Sequence, residues 1–234
     1  MYLYIVRHGE PDYTTDTLTE RGQQQADAVG RRLAAARIDR VFSSPLGRAR
    51  ETAEPTCRLL GLDCGIEEWA HEIDEETYAT EPYGKPTAIS LVQSTYFREN
   101  GEINLGYDRV FEGRVMGSSG MKEALDRITA DGNAFLERLG YREENGIYRI
   151  LKPSNDRVAL FCHGGMGRVW IASLLHIPLH LMWAGFRYTH TGVTVLEFKN
   201  NENGVTAPAC LCYSDMSHLH AYGPDTLYNG TKDI

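Results

Sequence analysis

Three observations predict a three-layer α/β/α fold with a mostly parallel central sheet. Short apolar runs alternate with segments of helical periodicity, the pattern of strands joined by crossover helices. Two of those runs, Tyr2 to Val6 and Arg157 to Cys162, lead into the same dipeptide, at His8-Gly9 and His163-Gly164. The alternation lapses between about residues 73 and 120, which reads as an inserted cap region within one domain over 1–234. Ligands of such open sheets bind beyond the carboxyl ends of the strands, so both histidines are expected there.

Taken in order, Tyr2 to Val6 is the first strand and residues 7–16 form a loop. Ala26, Val29, Leu33 and Ala36 recur at helical spacing, giving a helix over 19–36 capped by Thr17, in a box with Glu20, or by Thr19. Ile38 to Phe42 is the next strand, and Ser44-Pro45 offers a cap followed by proline at the first helical position of a helix to about Leu60. A strand near Cys64 to Ile66 precedes the insertion. Met121 to Leu139 resumes helical periodicity, Asn145-Gly146 signals a hairpin, and Val158 to Phe161 reads as a buried parallel strand. A helix from about Gly165 to Leu175 follows. Gly192 to Phe198 and Val205 to Tyr213 then form a late strand pair, with a polar loop from Ser214 onward.

Bulk properties narrow the function classes. Apolar residues at 42% and charged residues at 24% match ordinary globular usage and exclude a fibrous or disordered chain. A net charge of −8 offers no basic surface for nucleic acid, so any anion site must be a local pocket of arginines. The apolar run before Arg7 is too short for a membrane span, and no membrane partner is expected. Five cysteines without Cys-x-x-Cys suggest neither a disulfide framework nor a zinc cage, and point to a reducing cytoplasm. Cys210 and Cys212 share a strand face and are expected in the core.

The chemistry gathers at the strand ends. Arg48 lies in the first turn of the helix after Ser43-Ser44, where a cation opposes the helix dipole by roughly 0.3–1 kcal/mol unless an anion lies between them. An ion pair with Glu51 or Glu54 is the plainer alternative. Together with Arg7, His8 and His163, the anion reading is stronger. Guanidinium forks match phosphate oxygens, and phosphoryl transfer depends chiefly on positioning and charge neutralisation. Histidine also carries covalent intermediates. His8 is the better nucleophile, because Arg7 disfavours its protonation and Gly9 opens one face of the ring, whereas His163 stands at a helix start suited to phosphate.

Arg7-His8-Gly9-Glu10 resembles the opening signature of the histidine phosphatase superfamily, which includes the cofactor-dependent phosphoglycerate mutases. Leu18-Thr19-Glu20-Arg21-Gly22-Gln23-Gln24-Gln25-Ala26 is similar to its Leu-Thr-x-x-Gly-x-x-Gln-Ala segment. Ser43-Ser44-Pro45-Leu46-Gly47-Arg48-Ala49 is similar to Ser-x-x-x-Arg-Ala, and His163-Gly164-Gly165 resembles the second histidine motif. The resemblance implies a phosphoglycerate mutase-like fold and a metal-independent, cofactor-free phosphatase acting on a small phosphorylated substrate. It implies His8 as nucleophile, with Arg7, Arg48, His163 and Gly164 holding the phosphate and Arg168 as a supporting salt-bridge residue. It also implies Glu72 as general acid, with Glu68 as the rival. Many mutase-like members carry asparagine six residues after the catalytic histidine; here Thr14 stands there, and its hydroxyl is assigned to the phosphate. The mutase pattern Asn-Glu-Arg-His-Tyr-Gly is absent, which favours a phosphatase.

Two other functions remain, a phosphomutase that returns the group to its substrate and a non-catalytic phospho-ligand module. The insertion holds Tyr78, Tyr83, Tyr96, Phe97, Tyr107 and Phe111 beside Lys85, Arg98, Arg109 and Arg114, and reads equally as a roof over the pocket or a self-packed excursion. Metal binding by His8 and His163 is disfavoured, since neither lies in a His-x-x-x-His pattern. His71, His176, His180, His190, His218 and His220 are read as structural or surface residues. The sequence carries no signal of oligomeric state.

Overall fold

In a computed structural model, residues 1–73, 78–79 and 87–222 are described. Six strands form the main sheet: β1 (Tyr2–Arg7), β2 (Arg40–Ser43), β3 (Cys64–Ile66), β4 (Arg157–Cys162), β5 (Val193–Glu197) and β6 (Ala209–Asp215). Their spatial order is β6-β5-β1-β4-β2-β3. β1, β4, β2 and β3 run parallel, while β5 is antiparallel to both β1 and β6.

The pleat divides the core into two layers. Leu3, Ile5, Leu160 and Cys162 face one side, where they join residues of α5 (Met121–Arg138) and α6 (Gly164–Leu175). Val6, Ala159, Phe161 and Val193 face the other, against Val29 and Leu33 of α1 (Glu20–Ala35) and Ala53 of α2 (Gly47–Leu60). This is the expected three-layer arrangement. Thr19 is the cap of α1, its hydroxyl accepting from the Gly22 amide at 3.0 Å. Asn145 and Gly146 both have positive φ (54° and 85°), the type I′ hairpin turn that Asn-Gly favours.

Several expectations need correction. Ser44 does not cap α2, which starts at Gly47 after Leu46. The Gly47 amide is held instead by the Asp16 carboxylate at 2.6 Å, and the Ser44 hydroxyl is engaged with His163. β2 begins at Arg40 because the Ile38 amide is still bound to Leu33 at the end of the preceding helix. Val205–Thr206 leaves the main sheet and pairs with Tyr148 and Arg149 of the Tyr141–Ile150 hairpin. The tail is not all loop: β6 continues to Asp215, which pairs with Arg32 at 2.6 Å, and a 3-10 turn follows at Ser217–Tyr222. Cys210 is exposed and Cys212 half-buried, because β6 is an edge strand whose register shifts against β5. All five cysteines are free.

Within the insertion, Tyr78–Ala79 pairs with Thr87–Ala88, and α3 (Ser94–Glu99) and α4 (Arg114–Gly117) are joined by 3-10 turns. Tyr83 and Lys85 lie outside the described residues. Ile89, Phe97, Val110, Val115 and Met116 are buried in the same cluster as α5, α6 and α7 (Leu179–Gly185), so this segment is not packed only on itself. No helix among the described residues is long and apolar enough to cross a membrane.

The loop after β1 is seated by close backbone contact with α1. A Cβ on Gly22 would stand 2.2 Å from the Glu10 carbonyl oxygen, and the Glu10 amide donates to the buried Gln25 side chain at 2.8 Å. These contacts explain the Gly-x-x-Gln spacing. Gly22→Ala is expected to destabilise the fold by about 1–3 kcal/mol despite the better helix propensity of alanine. A lowered urea midpoint and displaced amide resonances for residues 8–10 would report it.

Candidate active site

Three neighbouring strand ends build the site. Arg7 at the end of β1 lies opposite Cys162 at the end of β4, and Phe161 lies opposite Ser43 at the end of β2. The ladder continues past the strands, because the His8 amide donates to the Cys162 carbonyl and the Ser44 amide to the Phe161 carbonyl, each at 2.9 Å. His8, His163 and the turn leading to Arg48 are thereby held side by side.

His8 is only 1% exposed, and its ring centroid is 5.3 Å from that of His163. Its Nδ1 lies 2.7 Å from the Gly9 carbonyl. A carbonyl only accepts, so Nδ1 carries the proton and Nε2 the lone pair. Burial, followed by the charge of Arg7, pushes the His8 pKa well below its ordinary value. Burial, then Arg48 and Arg7, pushes His163 down to about 2. Both rings are neutral near pH 7.

Arg7 is anchored through Nη1 to the Tyr188 carbonyl, and its Nε is buried without a partner. Gly164 lies close beneath it: a Cβ there would stand 3.2 Å from the guanidinium carbon, so the guanidinium would have to shift by a few tenths of an ångström. Arg48 is 8% exposed and pairs through Nη1 with Asp16, while its Nε also lacks a partner. The anion beside Arg48 is therefore Asp16, whose other oxygen holds the α2 N-terminus. Neither Glu51 nor Glu54 fills that role: Glu51 accepts from the Leu18 amide and Glu54 pairs with Arg58. Thr52 ties the two parts together, accepting from the Gly9 amide and donating to the Arg48 carbonyl.

Glu72 stands at the N-terminus of α6. Its Oε1 accepts from the Met166 and Ile73 amides at 2.8 and 2.9 Å, and its Oε2 from the Gly165 amide at 3.1 Å. Glu68, by contrast, is exposed on a 3-10 turn. Arg168 forms no salt bridge among the described residues; its Nε donates to the Gly164 carbonyl, and its guanidinium lies over the Trp183 ring at 4.5 Å. Thr14 is not brought to the arginines by any contact. It is exposed, and both its amide and hydroxyl donate to Asp12 Oδ1, the hydroxyl at 2.6 Å. Among the described residues no group of three or more His, Cys, Asp or Glu is placed to hold a metal.

The sequence marks His190 as a surface or structural residue; the structure places it beside His8, with ring centroids 5.5 Å apart. The signal for it is the antiparallel pairing of Val6 with Val193, which brings the residues before β5 to the carboxyl end of β1.

Burial of neutral histidines ties stability to pH. An unfolded histidine titrates near 6.5, whereas His163 is held at about 2 in the fold. Unfolding thus takes up a proton below about pH 6.5, and the stability present above that value is lost as pH falls toward the folded pKa. The urea midpoint is expected to drop between about pH 7.5 and about pH 5, and to drop less in His163→Gln. An identical pH slope in that variant would contradict the assignment.

Comparison with known proteins gives a consistent result. The family described as histidine phosphatase superfamily (branch 1) matches residues 3–84 and 122–210. GpmB of Salmonella paratyphi A, a probable phosphoglycerate mutase, is 25% identical over 238 residues, covering 97% of this chain and 99% of the relative. A phosphoserine phosphatase from Entamoeba histolytica, solved with 3-phosphoglyceric acid, is 20% identical with a TM-score of 0.60, covering 93% and 98% of the two chains. A mycobacterial glucosyl-3-phosphoglycerate phosphatase is 19% identical with a TM-score of 0.59, covering 91% and 98%. At these identities the two structures show a shared fold. The match to the family, over most of the chain and over every strand end that builds the site, makes this protein a member of the histidine phosphatase superfamily, branch 1.

Proposed function

We propose that the chain is a metal-independent phosphomonoester hydrolase that works through a phosphohistidine on His8. The observation that carries this reading is the state of the His8 ring: neutral, with Nδ1 committed to the Gly9 carbonyl and Nε2 the lone-pair nitrogen. In the first step Nε2 attacks phosphorus and the ester P–O bond breaks. Arg7 and Arg48 take the non-bridging oxygens, supplying the fixed positive charge that a metal supplies elsewhere. Glu72 is assigned as the general acid that delivers a proton to the leaving oxygen. Oε2, with its single donor from Gly165, is the oxygen suited to carry that proton. In the second step water attacks phosphorus, the P–N bond breaks with its electrons returning to Nε2, and Glu72 accepts the water proton. Ester and water give alcohol and inorganic phosphate.

The relatives' names support a mutase reading as well. Against it stands the acid segment Trp69-Ala70-His71-Glu72, which lacks the mutase pattern. We assign small phosphorylated metabolites as the substrate class; phosphoserine and 3-phosphoglycerate esters head the panel because the similar solved proteins are named for them.

Phosphate release from this panel, with chelator present, is expected in the wild type and reduced on the order of 10³-fold or more in His8→Ala. An acid-labile, alkali-stable phosphoprotein should accumulate on brief mixing. Conversion of 3-phosphoglycerate to its 2-isomer, primed by the bisphosphate and with little free phosphate, would replace the hydrolase by the mutase. Thr14→Ala should stay within about twofold of wild type, since its hydroxyl is spent on Asp12. A tenfold rise in KM would return Thr14 to the phosphate pocket.

A further inference from the structure

The mechanism above leaves His190 without a task, although its ring packs against His8 at 5.5 Å with the planes 37° apart. Both of its ring nitrogens are buried and neither has a hydrogen-bond partner. A neutral imidazole always presents one N–H and one lone pair, and burying both unmatched is costly unless a ligand completes them. The same condition holds for Arg7 Nε, Arg48 Nε and His163 Nδ1. Unpartnered nitrogens thus occur on both rings that pack against His8 and on the two arginines of the neighbouring strand ends.

Its position is fixed by backbone on both sides. The Thr191 amide donates to the carbonyls of Arg7 and His8 at 3.0 and 3.2 Å, and the Arg7 amide to the Gly192 carbonyl at 3.3 Å. Tyr188, two residues earlier, accepts from the Arg7 guanidinium and donates its hydroxyl to the Ile5 carbonyl at 3.0 Å. The ring is set by the same ladder that sets His8, so the two move as one unit.

We propose that His190 is a third phosphate-contacting histidine, donating one ring N–H to a non-bridging oxygen of the phosphoryl group in transit through His8. The assignment rests on the phosphohistidine reading. Burial, then Arg7, holds the His190 pKa at about 2, so the ring is a neutral donor at working pH. It adds a directed hydrogen bond to a pocket where the two guanidiniums already supply the charge.

Vanadate and inorganic phosphate binding by calorimetry, together with steady-state kinetics, tests this in wild type, His190→Gln and His190→Leu. Leucine keeps the packing and removes the donor; glutamine keeps a donor. We expect His190→Leu to weaken vanadate binding and lower kcat roughly 10- to 100-fold with an unchanged or raised Tm, and glutamine to recover most of that loss. Should the leucine variant fail to fold, His190→Phe keeps the ring shape and takes its place. Wild-type vanadate affinity in the folded leucine or phenylalanine variant would overturn the proposal, as would failure of the wild type to bind either anion. Vanadate binding that depends on His190 without any trapped phosphoprotein would uphold the contact and sink the phosphohistidine reading alone.

Discussion

The site depends on one backbone hydrogen bond, from the His8 amide to the Cys162 carbonyl at 2.9 Å. It extends the parallel pairing of β1 and β4 by one residue beyond β1 and so fixes His8 beside His163. The equivalent bond from Ser44 to Phe161 extends the pairing of β4 and β2, which sets where α2 can begin and where Arg48 falls. Three strand ends in register are a stiff base for side chains that must be placed within fractions of an ångström. The loop carrying His8 gains further rigidity from Gly22 and Gln25 of α1, which grip its backbone from the opposite side.

Charge is the second constraint. Two guanidiniums withdrawn from water beside neutral imidazoles destabilise the fold locally unless counter-charges stand near. The structure supplies two carboxylates, each at the head of a helix: Asp16 at α2 and Glu72 at α6. Asp16 pairs directly with Arg48, while Glu72 binds the amides of Gly165 and Met166 and leaves Arg7 held through the Tyr188 carbonyl. The asymmetry suits the chemistry. In the proposed mechanism Asp16 orients Arg48 toward the phosphate, whereas Glu72, with no guanidinium bond among the described residues, is the carboxyl assigned to exchange a proton.

Local signals made Arg7, His8, Arg48 and His163 legible, because each lies within two residues of a glycine or a strand end that the sequence marks. Glu72 is singled out by the resemblance of Trp69-Ala70-His71-Glu72 alone, and in the structure its carboxylate is seated against Gly165, where a Cβ would stand 2.8 Å away. What escaped depended on distant pairing. His190 reaches the site only because β5 runs antiparallel to β1, and a reading of parallel strands puts the residues before a strand at the wrong end. Asp16 caps a helix that begins 31 residues later, a contact no local rule announces. Thr14 shows the converse: counting six residues from His8 takes no account of the turn in which Asp12 accepts its hydroxyl. Cys210 and Cys212 show the same limit, since their alternation fits a core strand and only the sheet order makes β6 an edge.

The insertion's place in this scheme follows from its contacts. The family match breaks at 85–121, yet Phe97 lies beside His180 of α7 at 6.0 Å and Tyr107 stacks on His176, the residue that ends α6, at 3.8 Å. These two helices lead back to the site. Trp183 of α7 lies under Arg168, Arg168 donates to the Gly164 carbonyl, and Gly164 is the floor beneath Arg7. The segment that the family model leaves unmatched thus bears on α6 at one end, while the other end of α6 starts just after His163, beside His8. A packed helix transmits position along its length with little compliance. The insertion therefore packs against α6 and α7, whereas the strand ends that carry the histidines and arginines are held by the register of the parallel ladder.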